Sequence, residues 1–312
     1  MKAIQIIAFG DTSGLGLAEI DRPVPAGRDV LVRVMASGVN PIEWKIRGGP
    51  MANALGRDLP VTCGWACAGV VDGIGPEVTG FKTGDAVYTY PEFTRGGTHA
   101  DFVLVAETQV ALKPISLSFI QASAVPMTAQ AAATALAAAK LQDGARVLIH
   151  GAGGAVGFWL VQMAVAAKAD VIATASGPDL DVVRDLGAGR AIDFRSDRFE
   201  DAAGTVDVVF DLVGGETQAR SWAVLRPGGR LVSTAHPPDE ALAKAAGAQG
   251  AFIFTAPDGQ MLGDIARQID QGTLRPLTIA LQLPLADAPQ AHRLGETGKA
   301  GGKIVLVPDH TH

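Results

Sequence analysis

Residues 146–157 read Arg146-Val147-Leu148-Ile149-His150-Gly151-Ala152-Gly153-Gly154-Ala155-Val156-Gly157. Val147, Leu148 and Ile149 form a short apolar run suited to a buried strand. Glycines follow at once, and from Val156 to Lys168 the pattern is that of a helix. Strand, glycine turn and helix in immediate succession place the free N–H groups of a helix start beside a strand end. Such a turn can face a pyrophosphate, because glycine lets a ligand approach the chain closely. The dinucleotide pattern G-x-G-x-x-G fits in the register Ala152, Gly154, Gly157, with Ala in the first position. The alternative is a tight strand–helix turn that holds no ligand.

The segments downstream repeat the alternation. Asp170–Thr174 is a strand, Leu180–Leu186 a helix, and Asp207–Asp211 and Arg230–Thr234 are further strands. Val- and Ile-rich strands separated by helices imply a parallel sheet with helices on both faces. The end of the second strand should read the adenosine ribose. An acid there favours NAD, whereas a polar or cationic group favours NADP. Ser176 stands 19 residues after Gly157, and no acid closes the strand. A serine hydroxyl can donate to a 2′-phosphate. Arg195, after the short strand Ala191–Phe194, can add charge, or it is a solvated surface arginine. Asp179 and Asp181 argue the other way.

Upstream the pattern is different. Val30–Met35, Ala68–Val71, Gly84–Tyr88 and Phe102–Val105 are short strands punctuated by Gly and Pro, the signature of a barrel-like or sandwich-like β domain. Ala122–Leu141 reads as one buried Ala-rich helix. After Gly272 strand signals return at Leu281–Leu283 and Lys303–Val307. The reading predicts a discontinuous β domain, residues 1–122 plus 272–312, with an α/β domain inserted at 123–271. Glycine is in excess, 38 of 312 residues, and supplies the turns that both patterns need. The net charge of −6 argues against a basic nucleic-acid surface. No run of about 18 apolar residues suggests a membrane span, and the start MKAIQIIAFG lacks a signal-peptide core, so a cytoplasmic location is expected. Two cysteines cannot make a disulfide framework or a four-cysteine zinc site. Cys63 and Cys67 read as small buried core residues. His310-Thr311-His312 is too short to read as a metal site.

Together these pieces resemble the medium-chain dehydrogenase/reductase superfamily, in its zinc-free, quinone-oxidoreductase-like branch. The resemblance rests on Ser37–Lys45 (SGVNPIEWK), Gly64–Val71 (GWACAGVV), Thr83–Tyr88 (TGDAVY), the glycine loop, Leu225–Arg230 (LRPGGR) and Gly302–Leu306 (GKIVL). It implies an α/β fold: a GroES-like β domain plus a Rossmann domain, a doubly wound parallel sheet. It further implies NADPH in the cleft between the two, and a homodimer. Zinc-dependent relatives place Cys where this chain has Asn40, and His-Glu where it has Trp65-Ala66. Asn and Trp supply none of the thiolate, imidazole or carboxylate that zinc takes, so no metal is expected.

Without a Lewis acid, the natural reaction is hydride transfer from NADPH to an already polarised small molecule, a quinone or an α,β-unsaturated carbonyl. The resemblance puts Asn40 beside the nicotinamide ribose and the acceptor. It puts Lys45 near the acceptor, to stabilise negative charge or supply a proton; otherwise Lys45 is a solvated stem covering Trp44. It implies Gly153, Gly154, Ala155 and Val156 at the pyrophosphate, and Ser176 and Arg195 at the 2′-phosphate. Ala235, His236, Phe252, Ile253, Phe254 and Lys303 complete the expected cofactor contacts. His236 is an acid candidate or an exposed histidine, and His99 is taken as part of the fold. Two positions depart from the family: Ala131, where a Thr is common, and Gly177-Pro178, where a Lys or Arg often follows the Ser176 position. An enoyl-thioester reductase, or an NADPH-binding structural or regulatory protein without turnover, would share most of these features.

Overall fold

The computed structural model describes residues 1–309. His310, Thr311 and His312 lie outside them. The strands are β1 (Lys2–Ile6), β2 (Leu15–Glu19), β3 (Asp29–Gly38), β4 (Val61–Thr62), β5 (Cys67–Ile74), β6 (Ala86–Thr89), β7 (Phe102–Ala106), β8 (Val110–Leu112), β9 (Arg146–His150), β10 (Asp170–Ala175), β11 (Arg190–Asp193), β12 (Val206–Asp211), β13 (Leu225–Ser233), β14 (Gln249–Phe252), β15 (Ile279–Pro284) and β16 (Lys303–Val307). The helices are α1 (Pro41–Arg47), α2 (Phe119–Ser123), α3 (Pro126–Ala139), α4 (Ala155–Ala166), α5 (Asp179–Asp185), α6 (Phe199–Ala203), α7 (Gly215–Ser221), α8 (Glu240–Ala245), α9 (Gly259–Asp270) and α10 (Ala288–Glu296).

The chain divides into two units, one of Met1–Met127 with the segment from Ala256 onward, the other of Thr128–Thr255. The second unit carries a six-stranded sheet in the order β11-β10-β9-β12-β13-β14. Every pairing in it is parallel. In order of appearance the strands therefore lie 3-2-1-4-5-6, the doubly wound dinucleotide-binding arrangement. Val147, Leu148 and Ile149 are fully buried in the central strand. Helix α4 buries Trp159, Leu160, Val161 and Met163, and the Trp159 indole N–H donates to Thr128 Oγ1 at 3.1 Å. This is the Rossmann part of the expected fold.

The first unit is the GroES-like part. A seven-stranded sheet runs β15-β16-β3-β5-β6-β8, with β7 also on β3, and a small sheet runs β2-β1-β4. Val30, Val32, Val34, Val71, Val87, Val103 and Val105 fill one core. Ile4, Ile6, Ile46, Leu55, Trp65 and Leu306 belong to another.

Three differences from the sequence reading have local causes. The Ala-rich stretch is two helices, because Pro126 disfavours helical backbone in the residue before it and opens α3 instead. Helix α9 belongs to the first unit, so that unit resumes at Ala256 and not at 272. Its Leu262 and Ile265 are buried, Tyr88 Oη donates to Leu262 O at 2.6 Å, and the Asp270 carboxylate accepts the Ile115 and Ser116 N–H groups at 3.0 Å. The C-terminal segment, read as β structure, also holds the amphipathic helix α10, which buries Ala288, Ala291 and His292.

Candidate active site

The nucleotide side is built at the C-terminal ends of the parallel strands. Strand β9 ends at His150, which is buried. Ser221 Oγ donates to Thr217 O at 2.6 Å, so at 3.1 Å it accepts from His150 Nε2–H. His150 Nδ1 is then left to accept from Thr174 Oγ1 at 3.2 Å. Burial pushes the His150 pKa down to about 4, so the ring is neutral at ordinary pH. Gly151 follows in the left-handed region at φ +72°, where a side chain would be strained. A Cβ on Gly157 would stand 2.4 Å from Gly151 O, so only glycine lets α4 pack this closely on the turn. Gly154 is the N-cap of α4 and has no side chain to cap it. The first-turn N–H groups at Ala155 and Val156 thus start a helix with no side-chain cap, which suits an anion.

The other residues expected on this side lie just beyond neighbouring strand ends. Ser176 follows β10 directly and is half-buried. Ala235 and His236 follow β13, and their N–H groups donate to Ser233 Oγ at 3.2 and 3.3 Å. His236 is exposed. Phe252 closes β14, and Ile253 N donates to Ser233 O at 2.8 Å; Phe252 and Phe254 are exposed. Arg195 lines a cavity of about 340 Å³ with His150, Gly151, Phe194, Arg198 and Arg220. Ser176 is not among the residues that line it. Gly153 lies under Asp179, whose carboxylate would meet a Cβ there at 2.6 Å.

The first unit brings two expected residues together. Val39 N donates to Ile304 O at 3.0 Å, which sets the start of α1 beside the start of β16. Asn40 is the N-cap of α1, yet its amide does not cap the helix. Asn40 Nδ2 donates to Gly38 O at 2.9 Å, and Lys303 Nζ donates to Asn40 Oδ1 at 2.5 Å. The buried amide is therefore locked in one orientation. Burial lowers the Lys303 pKa to about 8, and Glu43 partly offsets it. Lys45 lies on the exposed face of α1. Trp65 and Ala66 are fully buried and present no metal-binding atom.

Two model matches cover most of the chain, "Alcohol dehydrogenase GroES-like domain" over residues 26–115 and "Zinc-binding dehydrogenase" over residues 186–306. A 2-methylene-furan-3-one reductase of Solanum lycopersicum is 33% identical, across 99% of this chain and 79% of the relative. The chain belongs to the medium-chain dehydrogenase/reductase superfamily, in its quinone-oxidoreductase-like branch. A quinone oxidoreductase from Coxiella burnetii superposes on this superfamily member with a TM-score of 0.91 at 30% identity, covering 98% of this chain and 99% of the other. A mycobacterial protein solved with NADPH gives 0.86 at 26% identity, covering 99% and 100%. No described helix is long and apolar enough to cross a membrane.

Sequence reasoning missed two buried polar centres of this dehydrogenase-like chain. Asp211, at the end of β12, accepts from Val213 N, Gly214 N, Gln218 Nε2 and Ser233 Oγ at 2.7–3.0 Å. It braces the loops after β12 and β13, and its only signal was an acid ending an apolar strand before Gly214-Gly215. The other centre joins Glu43, Cys63, His99 and His292, all buried. Burial raises the Glu43 pKa, but the adjacent His99 and His292 outweigh it and hold the carboxyl below its ordinary range. Burial also lowers the His292 pKa to about 4.

Proposed function

We propose that this protein reduces quinones or α,β-unsaturated carbonyl compounds with NADPH, without a catalytic metal. The observation that carries this reading is Asn40. Where zinc-dependent relatives place a cysteine, a buried amide is held between Gly38 O and Lys303 Nζ, and where they place His-Glu this chain has the buried Trp65 and Ala66. That donor set suits hydrogen bonding to a nucleotide and an acceptor, not a Lewis acid.

The chain's own groups divide the work. The Ala155 and Val156 N–H groups bind the pyrophosphate at the start of α4, with Gly153 and Gly154 allowing the approach. Ser176 Oγ and the Arg195 guanidinium meet the 2′-phosphate. Ala235, His236, Phe252, Ile253 and Phe254 contact the nicotinamide half. NADPH, when bound, supplies the hydride. Asn40, its oxygen engaged by Lys303, offers its second Nδ2–H to the ribose or to the acceptor oxygen. Lys45 stabilises the negative charge that develops on that oxygen. Names of relatives support the acceptor class: a furanone reductase and a quinone oxidoreductase both reduce conjugated carbonyl systems.

The test is steady-state oxidation of NADPH and NADH by purified protein with phenanthrenequinone and a small enone. The reading expects turnover with at least one acceptor and a higher kcat/KM for NADPH. Equal or better use of NADH removes the cofactor assignment. Nucleotide binding without turnover across the panel removes the reaction.

A further inference from the structure

Four segments of the first unit converge on one buried point. Cys63 follows β4, and His99 N donates to Cys63 O at 2.8 Å, which fixes those two segments side by side. Glu43 comes from α1 and His292 from α10. Glu43, Cys63, His99 and His292 are each 0% exposed. Cys63 Sγ and one ring nitrogen of each histidine lie within 4.8 Å of one another. Glu43 Oε2 lies 3.2 Å from His99 Nε2 and 3.5 Å from His292 Nε2, but it is outside the group of donors that lie within 4.8 Å of one another, so the carboxylate must shift to complete a tetrahedron. A tetrahedral zinc site with bonds of about 2.1 Å has donor–donor edges of about 3.4 Å. Two polar atoms in the cluster have no hydrogen-bond partner, Glu43 Oε1 and His292 Nε2. Buried polar atoms are rarely left in this state.

We propose that Cys63, His99, His292 and Glu43 form a closed structural site for a divalent transition-metal cation, zinc in the first place. One thiolate, two imidazoles and, once it has shifted, one carboxylate are a zinc ligand set, and four fully buried protein donors mark a structural rather than a catalytic site. The surroundings of His99 fit. With Nε2 on the cation, Nδ1 carries the proton and donates to Ser37 Oγ at 2.8 Å, and Ser37 Oγ donates onward to Ala66 O at 3.1 Å. Gly64 makes room for the ring: a Cβ there would stand 2.3 Å from His99 Nδ1. His292 requires one adjustment. Arg47 Nη1 now donates to its Nδ1 at 3.1 Å. With the cation on Nε2 that nitrogen carries a proton, so Nη1 turns aside. Arg47 keeps Nε on Gly10 O and Nη2 on Glu296. Binding releases the Cys63 thiol proton as the metal–sulfur bond forms. The cation ties α1, which begins next to Asn40, to α10. It replaces the expectation that the chain holds no metal and that Cys63 is only packing; Cys67, buried on the neighbouring strand, keeps that description. The proposal stands apart from the proposed activity, because none of the four donors is assigned to the reaction.

Without a cation the same distances describe an imidazole–carboxylate–imidazole hydrogen-bond cluster, and metal analysis separates the two. Full-length protein produced in zinc-supplemented medium is dialysed against a weak chelator and assayed for bound metal. A second portion is unfolded, stripped and refolded with Co²⁺, since a buried site fills as the chain folds. The expected result is stoichiometric zinc and, with Co²⁺, a thiolate-to-cobalt charge-transfer band and tetrahedral visible bands. Cys67→Ala keeps both signals, and Cys63→Ser and His99→Phe lose them. Metal-free wild type that refolds with no cobalt–thiolate band overturns the proposal. So does metal held equally by Cys63→Ser, or a band lost in Cys67→Ala instead. The wild-type and Cys67→Ala spectra decide the matter even where the ligand variants fail to fold.

Discussion

His150 is held neutral inside the second unit, and this ties stability to pH in a calculable way. Its pKa falls from 6.5 to about 4 on folding, because burial disfavours the charged ring. Between those values the unfolded chain binds a proton that the native chain refuses. Stability from this residue is therefore complete above pH 6.5 and lost as pH falls toward 4. The whole change corresponds to about 3 kcal/mol, and the portion lost between pH 7.5 and 5 to about 2 kcal/mol. The perturbation is His150→Gln, which keeps an amide for Ser221 but cannot titrate. Urea unfolding of wild type and variant is followed at pH 7.5, 6 and 5. The free-energy advantage of wild type should shrink by about 2 kcal/mol across that range. His292 titrates in both proteins and cancels in the difference. An advantage that stays constant with pH would refute the claim that His150 is buried without its proton.

Four further outcomes follow from the same geometry. Lys303→Met removes a charged donor from Asn40 Oδ1, a bond worth about 1.5–3 kcal/mol, so kcat/KM should drop roughly tenfold to a hundredfold with the fold intact by circular dichroism. In the wild type, activity that needs the Lys303 ammonium should be full at neutral pH and decline as pH rises through about 8, and Lys303→Arg should abolish that decline. Gly157→Ala drives a Cβ against Gly151 O and should cost about 1–3 kcal/mol, visible as a lower melting temperature together with a higher KM for NADPH. Arg195→Ala should raise the KM for NADPH and leave that for NADH unchanged; an equal effect on both would show that Arg195 does not read the 2′-phosphate.

Legibility in the sequence tracked distance along the chain. The strand Arg146–His150 is found where the sequence placed it, because its apolar run and the glycines that end it are local signals. The parallel sheet was read from the alternation of strands and helices, whereas the order of its strands comes from the structure. Asn40 was found by resemblance, but not its lock on Lys303, 263 residues away. Helix α9 was misassigned because only its contacts, Tyr88 to Leu262 and Asp270 to Ser116, show which unit it joins. The Glu43–His99–His292 cluster was invisible for the same reason. His99 read as a fold residue and His292 as nothing in particular, until the Cys63–His99 backbone bond and α10 brought them together.

The central claim is hydride transfer from NADPH to a conjugated carbonyl without a catalytic metal. It is tested most directly with NADPH deuterated at C4 and an enone whose saturated product is analysed by mass spectrometry. Metal content is recorded alongside. The account predicts one deuterium on the β-carbon of the product, delivered at a rate that does not follow added zinc. Product that carries label only from deuterated solvent, or a rate that rises in proportion to added zinc, would contradict it.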